Sequence, residues 1–253
     1  MSFEFTPGAH HLQPSTAPGR ITTWSYSSLS KFEQCPYAVY LSKIEGIKEP
    51  AGPAADRGSA IHKVWEDYIQ GNTTKLVDAG KKPNIELADT LREAYANGEV
   101  EIEEEWTVDR NWDPVPPKTP EVWGICKLDV FRRDSPTSAQ IIDHKSGTSW
   151  GKAVKHGDQG MVYAVNAFMR YPDLGLVSTQ FNYVDEGVLS QPTYWRRHEI
   201  DLFRMRLDKR AHRLTSATDF PPAPSKHNCK WCRYKDEVRR EDGAPACKWG
   251  VLA

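Results

Sequence analysis

The octapeptide QIIDHKSG, residues 140–147, places Asp143, His144 and Lys145 at the end of an apolar, β-branched run. Side chains on a strand alternate with period two, so Asp143 and Lys145 project to one face and His144 to the other. A carboxylate and an ammonium on one face meet the needs of metal-assisted phosphodiester hydrolysis: an oxygen ligand for a divalent ion, and a cation beside the attacking water or the phosphate. The same triplet also suits a surface salt bridge, so its neighbours decide its meaning. Upstream, VWGICKLDVF (122–131) reads as a second strand, with Trp123, Ile125, Lys127, Asp129 and Phe131 on one face and Val122, Gly124, Cys126, Leu128 and Val130 on the other. If this strand pairs beside that of Asp143, two carboxylates converge on one hard cation; the alternative is a strand-end aspartate facing solvent. Cys126, on the opposite face, reads as an inert core thiol.

Further out lie two helices. In RGSAIHKVWEDYI, Ile61, Val64, Trp65, Tyr68 and Ile69 form an apolar stripe over a helix of about 59–70, which Gly71 can end. His62 sits at the edge of that stripe and can reach out of the core toward a neighbouring strand; Glu66, one turn on, reads as the partner of a surface lysine. After the Asp-x-Lys strand, a helix of about 151–170 sets Gln159 and Tyr163 on one face at i, i+4, suited to DNA contact or to ordinary packing. Other expected elements are a helix from Thr22 capped by Ser25 or Ser27 and bent near Pro36, a polar helix at 84–97, strands at 100–109, 121–132, 139–145, 176–185 and 192–199, and a helix at 201–215. The alternation predicts an α/β domain. Residues 1–20, with the adjacent His10 and His11 and no hydrophobic period, read as a loose arm.

The chain has 253 residues, enough for a substantial core, with 39% hydrophobic and 26% charged residues. Its mean hydropathy of −0.64, with no long apolar run, excludes a membrane-spanning enzyme and predicts no membrane partner. A net charge of −1 provides no global attraction for nucleic acid. The charge is uneven, however: residues 86–121 hold 11 acidic and 3 basic side chains, and residues 196–240 hold 13 basic and 6 acidic. With Trp195, Trp231 and Tyr234 interleaved, the basic stretch suits either a phosphate-contacting surface or a solvated helix face. Five cysteines and no secretory signal predict a reducing cytoplasm, where Cys229-x-x-Cys232 with further cysteines suits a metal or cluster site. Four thiolates at Cys35, Cys229, Cys232 and Cys247 would pin the N-terminal helix to the tail, and they suit zinc or an iron-sulfur cluster equally; His227 is a substitute ligand should Cys247 not serve.

The ordered set Gly58-x-x-x-His62, Gly124 to Asp129, Asp143-x-Lys145 and Gln159-x-x-x-Tyr163 resembles the RecB-like branch of the PD-(D/E)XK nucleases. The flanking cysteines are similar to those of its iron-sulfur members, the CRISPR-associated adaptation nucleases and related phage exonucleases. The resemblance spans about Tyr26 to Cys247 and implies a restriction-endonuclease-like core, a mixed central sheet flanked by helices, with a cysteine site joining both ends of the chain. By that resemblance His62, Asp129, Asp143 and the backbone carbonyl of His144 would hold Mg2+ or Mn2+. Lys145 would orient the attacking water, Gln159 and Tyr163 would contact DNA, and Cys35, Cys229, Cys232 and Cys247 would hold a 4Fe-4S cluster, with zinc as the alternative. Catalysis then falls to Asp129, Asp143 and Lys145.

The expected organisation is an arm at 1–20, a nuclease domain at 21–219 and a cysteine-rich segment at 220–253 packing with Cys35. The expected activity is metal-dependent 5' to 3' exonuclease action on single-stranded or linear DNA ends, in recombination, repair or processing, in a bacterial or phage-infected cell. A recombinase, helicase or integration complex would present the DNA; the absence of a G-x-x-x-x-G-K-[S/T] loop assigns any unwinding to another chain. The competing reading is a catalytically silent DNA-binding or adaptor protein on the same fold.

Overall fold

The computed structural model describes residues 20–49, 52–235, 237–240 and 243–250. The arm predicted at 1–20, with His10 and His11, therefore lies outside the described residues except for Arg20. In chain order the elements are β1 (Trp24–Ser25), α1 (Tyr26–Gln34), α2 (Pro36–Lys43), α3 (Pro53–Ile69), α4 (Ile85–Ala96), β2 (Val100–Val108), β3 (Gly124–Ser135), β4 (Ser138–Lys145), α5 (Ala153–Arg170), β5 (Leu176–Tyr183), β6 (Val188–Leu189), β7 (Thr193–Arg196), α6 (Ile200–Thr215) and the single turn α7 (Lys226–Cys229).

Local chemistry explains most boundaries. Ser25 rather than Ser27 caps α1, in a capping box with Ser28. The bend expected near Pro36 is a full break: Cys35 is extended at φ −159° because the residue before proline avoids the helical region, and Pro36 then starts α2. The α3 helix starts six residues before the predicted 59, at Pro53, because its first turns carry no apolar stripe for periodicity to detect.

The strands form one seven-stranded mixed sheet in the order β1-β3-β4-β5-β6, with β2 also paired to β3 and β7 to β5. The helices α1, α5 and α6 cover one face through Leu29, Phe168 and Leu207, and α3 and α4 cover the other through Trp65 and Leu91. A third, smaller cluster joins Ala38 and Leu41 of α2 to Tyr234, Val238 and Ala246 of the tail. Gly124 lets β1 approach β3 closely, since a Cβ there would lie 2.8 Å from Val108 and 3.1 Å from the Trp24 ring. No described helix is long and apolar enough to cross a membrane.

The sheet is split where β3 meets β4. Along one edge β3 pairs with β2 throughout. Along the other, β1 takes Gly124 and Ile125, β4 takes Val130 to Ser135, and the edge from Cys126 to Asp129 has no strand partner among the described residues. Meanwhile β4 continues with β5 as far as Lys145↔Tyr183. Strict alternation also fails here, against the expectation for 122–131. In β3, Leu128 belongs to one core and Val130 to the other; in β2, Trp106 and Val100 divide in the same way. The physical cause is Glu103, whose φ of 52° flips the facing of β2 at the position opposite Asp129, between the ladder pairs Ile102↔Val130 and Glu104↔Leu128.

Candidate active site

The split in the sheet is lined with ionisable groups. Continuing the two registers places Glu103 on β2, Asp129 on β3 and Asp143 on β4 side by side. His62 comes from the third turn of α3, with its Nδ1 3.2 Å from Asp129 Oδ1 and 3.9 Å from Glu103 Oε1. These three side chains form the one group of three or more histidine, cysteine or carboxylate ligands, among the described residues, whose donor atoms all lie within 4.8 Å of one another. Asp129 uses its other oxygen structurally. Its Oδ2 accepts the His144 N–H at 2.6 Å, replacing the acceptor that the β3–β4 ladder no longer supplies.

As the period-two argument predicts, Asp143 and Lys145 face α5 while His144 faces α3. Lys145 Nζ lies 2.6 Å from Asp143 Oδ2 and donates to Gln159 Oε1 at 3.0 Å. Asp143 Oδ1 accepts from the Tyr163 hydroxyl and from Gln159 Nε2 at 3.3 Å. The His144 ring stacks on Trp65 at 4.3 Å, its Nδ1 meets Asn182 Nδ2 at 3.0 Å, and its Nε2 is buried without a hydrogen-bond partner. That side chain is a core group, and burial, followed by the charges of His62 and Lys145, pushes it down to about 3, so it is neutral.

Burial disfavours charge on the other acid and base groups, and their neighbours then decide the outcome. For His62, burial acts downward but is outweighed by the facing carboxylates of Asp129 and Glu103, so it is held well above the usual imidazole range. Asp129 is raised by burial and by the charge of Asp143. Tyr163 is raised by burial and by Asp143, which keeps its hydroxyl a proton donor. Adjoining carboxylates beside an imidazole, which binds a metal in its neutral form, and a lysine are chemically suited to a divalent ion and a phosphate.

Not every predicted role fits this geometry. Tyr163 is only 4% exposed, so its hydroxyl serves Asp143 and has no path to DNA. Trp195 and Tyr234 are buried, which leaves Trp231 as the exposed aromatic of that trio. Much of the basic stretch is already engaged: Arg197 donates to the carbonyls of Phe168, Tyr171 and Leu174, Arg210 bridges Glu33 and Asp158, and Arg240 pairs with Glu45. Glu66 pairs with Lys63 as expected, and Cys126 is a buried core thiol raised by burial. Sequence reading missed Glu103, one of three successive glutamates that nothing in the pattern distinguishes. It also missed His156, which hydrogen-bonds Tyr183 at 2.6 Å on the α5 side of Lys145.

Cys35, Cys229, Cys232 and Cys247 line a single pocket of about 240 Å³ between α2 and the tail. All four thiols are free, and no three of these sulfurs approach within 4.8 Å of one another, so no metal centre is shown on them.

A profile of the PD-(D/E)XK nuclease superfamily matches residues 23–119 and 122–236. The chain belongs to that superfamily. Solved structures similar to this PD-(D/E)XK chain include SSO0001 (15% identity, TM-score 0.45, covering 87% of this chain and 86% of that one). Others are a protein of Eubacterium rectale provisionally designated an exonuclease (12%, 0.47, 94% and 96%) and LHK-Exo in complex with dAMP (12%, 0.40, 79% and 87%). No curated protein matches.

Proposed function

We propose that this PD-(D/E)XK protein is a divalent-metal-dependent DNA exonuclease acting on single-stranded or linear ends. The observation that carries the reading is the split sheet itself, which sets Asp129 and Asp143 side by side, with His62 on one flank and Lys145 2.6 Å from Asp143 on the other. The donor set would fit a hard divalent ion: His62, Glu103 and Asp129 bring their donor atoms within 4.8 Å of one another, and Asp143 on the adjoining strand and the His144 carbonyl would complete the set. When bound, Mg2+ or Mn2+ supplies Lewis-acid activation of water and charge neutralisation at the phosphoryl group. Lys145 orients the attacking water and offsets negative charge on the phosphoryl oxygens in the transition state. Gln159 holds the Lys145 ammonium, and Tyr163 fixes the rotamer of Asp143 by donating to its Oδ1. Hydrolysis leaves a 5'-phosphate and a 3'-hydroxyl, and we read the direction as 5' to 3'.

We read Cys35, Cys229, Cys232 and Cys247 as ligands of a 4Fe-4S cluster, with zinc as the alternative. The four cysteines open onto one pocket of about 240 Å³, and a tetra-thiolate site accepts either group; the likeness of their spacing to iron-sulfur members of the superfamily favours the cluster. In that role the segment from residue 220 is a closure element on the nuclease domain. Absorption near ~400 nm after anaerobic purification supports the cluster, and bound zinc without that band refutes it.

The nuclease test is cleavage of end-labelled linear single-stranded DNA with Mn2+, Mg2+ or EDTA, with Lys145→Ala run beside the wild type. Metal-dependent laddering or mononucleotide release that vanishes in the variant is the expected result, and the position of the label reports polarity. Absence of cleavage across single-stranded, duplex and flap substrates would leave the DNA-binding adaptor as the reading.

A further inference from the structure

The strand that carries Asp143 and Lys145 runs into a loop tied down by two acids. Gly147 N donates to Asp185 Oδ2 at 3.0 Å and Ser149 N to Glu186 Oε2 at 3.1 Å. Asp185 is itself fixed by both terminal guanidinium nitrogens of Arg57, at 2.9 and 2.6 Å, and by Lys81 N at 2.9 Å. This anchored loop nevertheless presents its largest side chain to water: Trp150 is 88% exposed, and Val154, in the first turn of α5, is equally exposed. Exposed apolar side chains beside a catalytic centre point to a ligand that covers them.

The surroundings of Trp150 indicate the chemistry of that ligand. Lys152 and Lys155 are exposed and have no ion-pair partner among the described residues. They share a field with Lys145, as Lys155 shows: its ammonium is pushed down by burial and then by the charges of Lys152 and Lys145. Lys155, Gln159 and Tyr163 recur at i, i+4, so one face of α5 leads outward from Asp143, past Lys145, to the two free lysines. At 1.5 Å per residue, Lys155 lies about 6 Å and Lys152 about 10 Å along the helix axis from Gln159. With stacked nucleotides about 3.4 Å apart, that is about three nucleotides. Cations with no counter-charge suit a phosphate backbone, and an exposed indole suits the face of an unpaired base.

We propose that Trp150 is a stacking platform for one unpaired base of the DNA strand entering the site, a few nucleotides from the cleaved bond, with Lys152 and Lys155 meeting the adjacent phosphates. This subsite rests on the nuclease reading and adds a strand-holding function that the metal and catalytic residues do not provide. It favours single-stranded ends, because a base paired in a duplex has no free face to offer.

The test is an abasic scan. Labelled single-stranded 12-mers, each lacking one base, are titrated with wild type, Trp150→Ala and Trp150→Phe, with Ca2+ in place of Mg2+ to hold the strand uncut. The expected result is one position, two to four nucleotides from the cleaved bond, where loss of the base weakens wild-type binding about tenfold and leaves Trp150→Ala unchanged; Phe should restore much of the difference. Lys152→Ala and Lys155→Ala should each weaken every oligonucleotide alike and reduce the slope of log affinity against log salt by about 0.7. If wild type and Trp150→Ala give the same scan while Mn2+-dependent cleavage persists, the platform is refuted and the nuclease stands. If wild type neither binds nor cuts DNA, both readings fall.

Discussion

Replacing Glu103 by glycine should make the protein more stable without metal and less stable with it. Glu103 sits at φ 52° in the middle of β2, a left-handed conformation that costs an L residue about 1–2 kcal/mol and glycine almost nothing. Against that gain stands the extra chain entropy of an unfolded glycine, about 0.5–1 kcal/mol. The lost contact with His62 is long, 3.9 Å, and 39% of the Glu103 side chain is exposed, so its loss costs a few tenths of a kcal/mol. Removing a negative group facing Asp129 works in the stabilising direction. The net expectation in EDTA is a gain of about 0.5–1 kcal/mol, or about 1–2 °C in melting temperature for a chain of this size. Glu103→Ala retains the unfavourable φ and should melt about 1–2 °C below the glycine variant, which isolates the backbone contribution net of the glycine's chain entropy.

Metal should invert the order. If loss of this carboxylate weakens Mn2+ affinity tenfold, the metal-dependent stabilisation falls by about 1.4 kcal/mol, more than the net gain of about 0.5–1 kcal/mol in EDTA. Melting curves of the three proteins in EDTA and at a fixed Mn2+ concentration should therefore cross. An alanine variant at least as stable as the glycine variant in EDTA would refute the strain argument. An undiminished Mn2+ shift in both variants would remove Glu103 from the ligand set.

Two further perturbations probe the supports of the site. Arg57 holds the Asp185 carboxyl down to about 2, so its stabilising contribution is complete above about pH 4 and is lost as pH falls through about 2; Asp185→Asn should cost about 1–2 kcal/mol at pH 7 in urea unfolding, a gap that closes toward pH 2. Tyr163→Phe removes a donor to the buried Asp143 carboxylate and should lower stability by about 1–2 kcal/mol in denaturant melts while cutting turnover about tenfold at saturating metal; unchanged turnover would show that Asp143 needs no such positioning.

The parts of the site that depend on local periodicity were legible in the sequence. Period two put Asp143 and Lys145 on one face, and the apolar stripe of α3 left His62 at its margin, where it reaches Asp129. The alternation of elements predicted the α/β class, the family resemblance implied the mixed sheet, and most strand limits agree within two or three residues. What failed depends on tertiary context. The facing of β2 and β3 changes parity at the Glu103–Asp129 position because one residue adopts a positive φ, an event with no signature in the run EIEEEW. Trp195 and Tyr234 have the composition of a nucleic-acid surface but belong to the interior, because a strand pairing and a tail packing, both non-local, determine their exposure. Trp150 escaped notice for the converse reason: no pattern distinguishes an aromatic residue that the fold leaves uncovered.

The packing of the tail on α2 also has a temporal consequence for biosynthesis. Arg240 reaches Glu45 and Tyr234 reaches Ile47, contacts that span 195 and 187 residues, and Cys35 opens onto the same pocket as Cys247. A ribosome that has released α1 and α2 must translate almost 200 more residues, about 10–40 s at ordinary elongation rates, before their partners emerge. Through that interval Ala38, Leu41 and the Cys35 thiol lack their covering surface, so the nascent chain passes through a stage in which the apolar face of its second helix is open to water.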